Sequence, residues 1–189
     1  MKKLMEEIAE AFEDEKFARL CLRLIIGTLV FLAVDIFLFK YVLMKSMIPS
    51  GSMEGTLLPG DRVISTRLNL SEETIHRYDI LIFHTSNDPD NLLIKRVIGL
   101  PGEIVVIKDG KVYVDGVETD DSFVNGTQND LGSGIYVVPE GCYFFLGDNR
   151  NHSKDSRFMY EMYIPIENIC AKARFVVFPF SRMGSVEYE

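Results

Sequence analysis

The sequence predicts a mostly β protein, with one apolar α-helix long enough to span a membrane near the N-terminus and an antiparallel β domain after it. Three observations carry this reading. Residues 24 to 44 form a nearly unbroken apolar run. After residue 60 the pattern changes to short runs alternating with period two and broken by turn residues. Strands do not alternate there with helical stretches, as a parallel βαβ arrangement would require.

Residues 1–23 place Leu4, Met5, Ile8, Ala9, Phe12 and Phe17 among acidic residues at near-helical spacing, which reads as an amphipathic segment on the cytoplasmic side. The run from Leu24 to Met44 is 21 residues, about 31 Å as a helix, matching a hydrocarbon core of about 30 Å. Its length and the acidic segment before it fit a removable signal peptide poorly. Asp35, near the middle, costs roughly 2.5–3.5 kcal/mol on insertion scales, which the surrounding Leu, Ile, Val and Phe offset. It either faces Lys40 or a partner helix, or is an ordinary tolerated charge. Lys2, Lys3, Lys16, Arg19 and Arg23 precede the span and only Lys40 and Lys45 lie at its far end, so the positive-inside rule puts the N-terminus in the cytoplasm and residues 45–189 outside.

In that outer part, "DRVISTRL", "YDILIFHT", "NLLIKRVIGL", "EIVVIKDGKVYVDGV", "GIYVVP", "CYFFLGD" and "CAKARFVVFP" read as strands, with Asp109-Gly110 as a hairpin turn. Residues 119–134, rich in Asp, Asn, Gly and Ser, read as a flexible loop. The 189-residue chain, 47% hydrophobic, is long enough for one good core. Its net charge of −8, without a basic cluster, argues against nucleic acid as a partner. Cys21, Cys142 and Cys170 make no disulfide framework. At most Cys142 and Cys170 pair, with free thiols the default. His76, His84 and His152 are scattered and no metal-ligand spacing occurs, so no metal site is expected.

Two stretches carry chemistry. In "IPSGSMEGTL", residues 48–57, Ser50 and Ser52 flank Gly51 in a turn. Such residues are ordinary in a linker. Ser52, however, lies eight residues beyond Met44, so even an extended chain keeps it within about 28 Å of the span's end. That position suits a nucleophile acting on chains emerging from a membrane. In "LLIKRVIGLPGE", residues 92–103, period two puts Leu93, Lys95 and Val97 on one face and Leu92, Ile94, Arg96 and Ile98 on the other. One basic residue must then point toward apolar neighbours. Either this is an edge strand whose basic side chains reach water, or Lys95 is buried. Burial lowers a lysine's pKa by up to about 3–5 units and frees its amine to take a proton at neutral pH. An arginine at that place stays protonated.

Three stretches in order, "PSGSMEGTLLPGDRV" at 49–63, "KRVIGLPGE" at 95–103 and "GDNRNHSKDSR" at 147–157, closely resemble the type I signal peptidases, the membrane-bound Ser/Lys leader peptidases. The resemblance covers the span and residues 45 to about 180, and is loose over 108–140, where the family varies. It implies a β-sheet catalytic domain of the signal peptidase type and a hydrolase acting in protein secretion. By it, Ser52 is the nucleophile and Lys95 the general base, and the Ser50 hydroxyl and Ser52 amide form the oxyanion hole. Ser153 orients the lysine, and Asp155 and Arg157 support it as an ion pair. His152 receives no role. Ile48, Met53, Leu57, Val63, Leu93 and Ile94 match positions lining shallow pockets for small residues, although each is also a plausible core residue. The resemblance further implies secretory preproteins and membrane lipid as partners, the export translocon as a candidate neighbour, and no cofactor. Gly55 stands where the family usually has proline, so the turn carrying Ser52 is expected to be looser. A self-cleaving Ser/Lys repressor would share the dyad, but should carry a DNA-binding helix-turn-helix and no span. A membrane-anchored β domain that binds exported proteins without cutting them is the non-enzymatic rival.

Overall fold

The computed structural model describes residues 1, 3, 5, 15–68 and 70–186. Leu4, Ile8, Ala9 and Phe12, and with them most of the expected amphipathic segment, lie outside the described residues. The chain divides into two compact units, Met1–Tyr41 and Val42–Glu189.

The first unit is dominated by helix α1, Glu15–Phe37, which a π-helical turn, Leu38–Val42, extends. Lys16–Val42 is long and apolar enough to cross a membrane. Its large side chains are exposed, among them Leu29, Phe31 and Ile36 at 60–70%. The helical stretch therefore begins and ends earlier than the sequence suggests. Leu43 and Met44, expected in the span, instead open strand β1, Leu43–Met47, and pair antiparallel with Thr66 and Ser65. An apolar run of a few residues fits either state, and here the partner strand decides.

The second unit contains two sheets. Strands β1, β2 (Arg62–Thr66), β3 (Ile80–Thr85), β4 (Asp88–Gly99), β9 (Cys142–Leu146), β10 (Ile164–Pro165), β11 (Ile169–Phe178) and β12 (Gly184–Ser185) make the larger one, in the order β1-β2-β11-β3-β4-β9-β10 with β12 on β11. The smaller one has β5 (Ile104–Lys108), β6 (Lys111–Val114), β7 (Val117–Glu118) and β8 (Gly134–Val137), in the order β7-β6-β5-β8. Every pairing is antiparallel. The Asp109-Gly110 turn joins β5 to β6, and all three cysteines are free thiols.

Alternation along β4 and β9 explains the core. Val97, Phe145 and Tyr143 point into one cluster with Leu81, Phe83 and Ile169. Ile98, Phe144 and Leu146 point into another with Val105, Ile107 and Val112 of the smaller sheet. Phe83 and Phe145 stack with ring centroids 4.3 Å apart. Because both faces of β4 are covered, both of its basic residues are buried, Lys95 at 4% exposure and Arg96 at 2%. Both basic residues, not one, are therefore buried, and the reading in which they reach water from an edge strand falls; β3 flanks β4 on one side, and β9 pairs with it on the other from Arg96 onward.

Arg96 is stabilised by four hydrogen bonds and an aromatic face. Its Nε and Nη2 donate to the two Asp148 carboxylate oxygens at 2.8 and 2.7 Å. Nη1 donates to the Tyr78 carbonyl and Nη2 also to Thr56 Oγ1. The Phe123 ring lies 4.0 Å from the guanidinium. Removing one member of a buried pair strands the other charge, at a cost of about 3–5 kcal/mol. Arg96→Met is therefore expected to lower the urea midpoint strongly, and a second substitution, Asp148→Leu, should recover part of that loss.

Candidate active site

The 310 turn Gly51–Met53 follows β1 and carries Ser52, whose residue is 8% exposed. Met53 and Leu57, both fully buried, anchor the turn in a cluster with Ile48, Val63, Ile80 and Val176. The 147–157 segment clasps it from the other side. The Asn149 amide donates to the Ser52 carbonyl at 3.1 Å, and Asn149 Nδ2 to the Gly51 carbonyl at 3.1 Å. Thr56 Oγ1 donates to Asp148 at 2.6 Å.

These supports bring together the two residues the sequence singled out. Lys95 Nζ lies 2.8 Å from Ser52 Oγ and 2.9 Å from the carbonyl oxygen of Ile94. Burial pulls the Lys95 pKa down to about 8, against the opposing fields of Asp155 and Asp148. Desolvation prevails because each carboxylate already has its own guanidinium. Asp155 receives Arg157 Nε and Nη2, both at 2.8 Å, and Asp148 is held by Arg96. When protonated the amine donates to Ser52 Oγ; when neutral its lone pair can accept the Ser52 proton.

Asp155 and Arg157 form a fully buried ion pair, and Asp155 also accepts from the Gly147 amide at 3.0 Å. Ser153 departs from expectation. It is buried, but its Oγ has no hydrogen-bond partner among the described residues, so the bond to the lysine amine is not made here. It is nevertheless close to the turn, since a side chain on Gly147 would collide with both Ser153 Oγ and the Ser52 carbonyl. Only glycine permits that approach. Ser50 is exposed and extended, at the entrance to the turn. His152 bonds to Asn149.

Of the expected pocket residues, Ile48, Met53, Leu57 and Val63 share one buried cluster and Ile94 packs against it. Leu93 packs against the cluster around Phe83. Ile48, Leu93 and Ile94 do meet along a groove of about 260 Å³, walled by Met44–Pro49 on one side and Leu92–Ile94 on the other, with Ile82 beneath. This groove lies between two strand edges. β1 ends the sheet order, and β9 pairs with β4 only from Arg96 onward. Sequence reasoning missed the Ile94 carbonyl. A backbone acceptor leaves no signature in side-chain patterns.

Gly55 adopts φ +116°, and a side chain there would come within 2.6 Å of the Phe123 carbonyl oxygen. The turn closes through the Thr56 and Leu57 amides on the Met53 carbonyl and packs against the 119–134 loop, which Arg150 holds through Asp121 and Gln128.

A buried serine hydroxyl bonded to a buried amine of lowered pKa, a residue or so from side chains that line a groove between strand edges, has the parts a lysine-assisted serine hydrolase needs. The family of signal peptidases, peptidase S26, matches residues 20–178, and the chain belongs to it. A signal peptidase I of Leptolyngbya laminosa is 36% identical over 168 residues, covering 85% of this chain and 80% of the relative. One of Bacillus caldolyticus is 32% identical over 76% of this chain and 84% of its own. A crystal structure of a signal peptidase I from Enterococcus faecalis, 32% identical, aligns with 52% of this chain and 96% of its own at a TM-score of 0.43.

Because proline fixes φ near −65°, Gly55→Pro is expected to break the turn despite resembling the family. Its loss of activity should exceed that of Gly55→Ala, itself destabilised by about 1–3 kcal/mol in urea unfolding.

Proposed function

We propose that this chain is a membrane-anchored serine endopeptidase that removes N-terminal signal peptides from exported preproteins, cutting after small residues in an A-x-A-like pattern. The observation that carries the proposal is the 2.8 Å contact between Lys95 Nζ and Ser52 Oγ in a desolvated site. Lys95 accepts the Ser52 proton as Oγ attacks the scissile carbonyl carbon, and returns it to the leaving amine as the tetrahedral intermediate collapses. Water, deprotonated by the same amine, then hydrolyses the acyl-enzyme. The Ser50 hydroxyl, once rotated inward, and the Ser52 amide hold the oxyanion. Each such donor is worth about 2.7–4 kcal/mol in comparable sites. Asp155 and Arg157 fix the floor, and Ser153, whose hydroxyl has no hydrogen-bond partner among the described residues, can turn toward the amine.

The two strand edges suggest how substrate binds. A peptide laid extended between β1 and β4 would bond to both backbones, a form of strand addition. Its alternate side chains would meet Ile48, Ile82 and Ile94. Ile48, Met53, Leu57 and Val63 form the packed wall behind. Lys16–Val42 would anchor the chain in lipid, N-terminus inside, with the export translocon as a neighbour.

The test is cleavage of a preprotein with an A-x-A site in detergent or vesicles. Ser52→Ala and Lys95→Ala should each lose at least about 10³-fold in kcat/KM, since the nucleophile and its base act as one unit. For the wild type, kcat/KM should rise with pH to a plateau above about 8 and fall tenfold per unit well below it, because only the neutral amine accepts a proton. A flat profile from pH 6 to 9, or activity surviving Lys95→Ala, would contradict the dyad.

A further inference from the structure

Residues 120–128 lie outside the three motifs that carry the family resemblance, yet they touch the support of Ser52 at three points. The Phe123 ring lies 4.0 Å from the Arg96 guanidinium. The Phe123 carbonyl oxygen packs so closely on Gly55 that a Cβ there would approach it to 2.6 Å. The Asn125 amide donates to the Asp148 carbonyl at 3.0 Å. The segment is itself held firmly. The Asp120 amide donates to Tyr78 Oη at 3.1 Å, and the Tyr78 and Phe123 rings meet at 5.6 Å. Arg150 donates to Asp121 and Gln128.

Arg96 uses the in-plane donors of its guanidinium on Asp148, Thr56 and the Tyr78 carbonyl. The two faces of the group carry no donor. An aromatic ring, with its negative quadrupole, stabilises a cation from that direction while excluding water. Resting on the function proposed above, we infer that Phe123 is a positioning residue for the Ser52–Lys95 pair: its ring keeps Arg96 on Asp148, and its carbonyl seats the turn after Ser52. Phe123 touches no reacting atom and is not among the residues lining the groove between β1 and β4. The charges around Lys95 make loss of the ring readable. Asp155 and Asp148 both act on the amine. Arg157 holds the first and Arg96 the second, while Glu54 is bonded to Asn149 and Asp121 to Arg150. Water admitted to Arg96 weakens its hold on Asp148. More of that carboxylate's field then reaches the amine, which keeps its proton to higher pH.

The test compares Phe123→Leu, which keeps apolar bulk but removes the ring, with Phe123→Tyr, which keeps the ring. Val112→Ala, in the cluster against which Phe123 packs, is the control for lost packing alone. Two readouts are taken on the full-length protein in detergent. One is kcat and KM for a preprotein with an A-x-A site; the other is the pH midpoint of the Lys95 amine by 13C NMR. Misplacing a reacting group by about 1 Å can cost about 10²-fold, so Phe123→Leu should lower kcat at least about tenfold and leave KM within about twofold. Its amine midpoint should rise by about half a pH unit or more. Phe123→Tyr should match the wild type in both readouts. Val112→Ala should leave the amine midpoint in place even where it lowers the urea midpoint. Because the amine is observed without turnover, the two proposals are separable. A midpoint that rises in Phe123→Leu, in a protein whose wild type cuts nothing, would uphold the positioning role and overturn the peptidase reading. A wild type that cuts, with kcat and midpoint unchanged in Phe123→Leu or shifted equally in Val112→Ala, overturns the positioning role.

Discussion

A lysine amine taken out of water needs a counter-charge of its own or must give up its proton, and Lys95 is surrounded by carboxylates that are already committed. That constraint organises the site. Asp148 and Asp155 are fully buried, and either would hold the amine protonated if it stood alone. Arg96 and Arg157 take them in bidentate or near-bidentate pairs, so the field left at Lys95 is weaker than desolvation. At neutral pH a pKa of about 8 leaves roughly a tenth of the amine neutral, against about one part in a few thousand at the ordinary value. Two ion pairs that make no bond to Ser52 thereby set the proton-accepting capacity beside it.

The same ion pairs hold Ser52 in place. Arg96 reaches through Thr56 to the turn after Ser52, and Asp148 accepts from that same threonine. Asn149 and Gly147, flanking Asp148, contact the turn directly. Ser52 and Lys95 thus sit on different elements and share one support, the loop after β9. A displacement of that loop would separate hydroxyl from amine and also change the charge environment of the lysine.

Much of the fold was legible because period-two alternation and turn residues mark strands locally. The limits are equally physical. Strand β1 was hidden in the apolar run because Leu43 and Met44 would suit a helix as well, and only pairing with Thr66 and Ser65 decides between the two. The short strands β7, β10 and β12, two residues each, carry too little pattern to be read. Alternation suggested that one of Lys95 and Arg96 would be buried. Burial of both required the smaller sheet to cover the second face of β4, a long-range fact. Ser52 and Lys95 were legible through motif order, although 43 residues separate them. The packing of Gly55 against the Phe123 carbonyl was not, since the partner lies in a loop whose composition says nothing about where it folds. Ser153 was matched by position, but its hydroxyl bonds to nothing among the described residues.

The account turns on the protonation of one amine, and a titration observing that amine is its most direct test. With 13C-labelled lysine in the full-length protein, the Lys95 Cε signal can be assigned by its loss in Lys95→Met and followed from pH 6 to 11 by NMR. The account predicts a midpoint near 8, and a further decrease in Asp155→Asn, where one of the opposing fields is removed. A midpoint near the ordinary lysine value of about 10.4, in protein shown to be folded, would contradict it and leave Lys95 a buried cation without a role as a base.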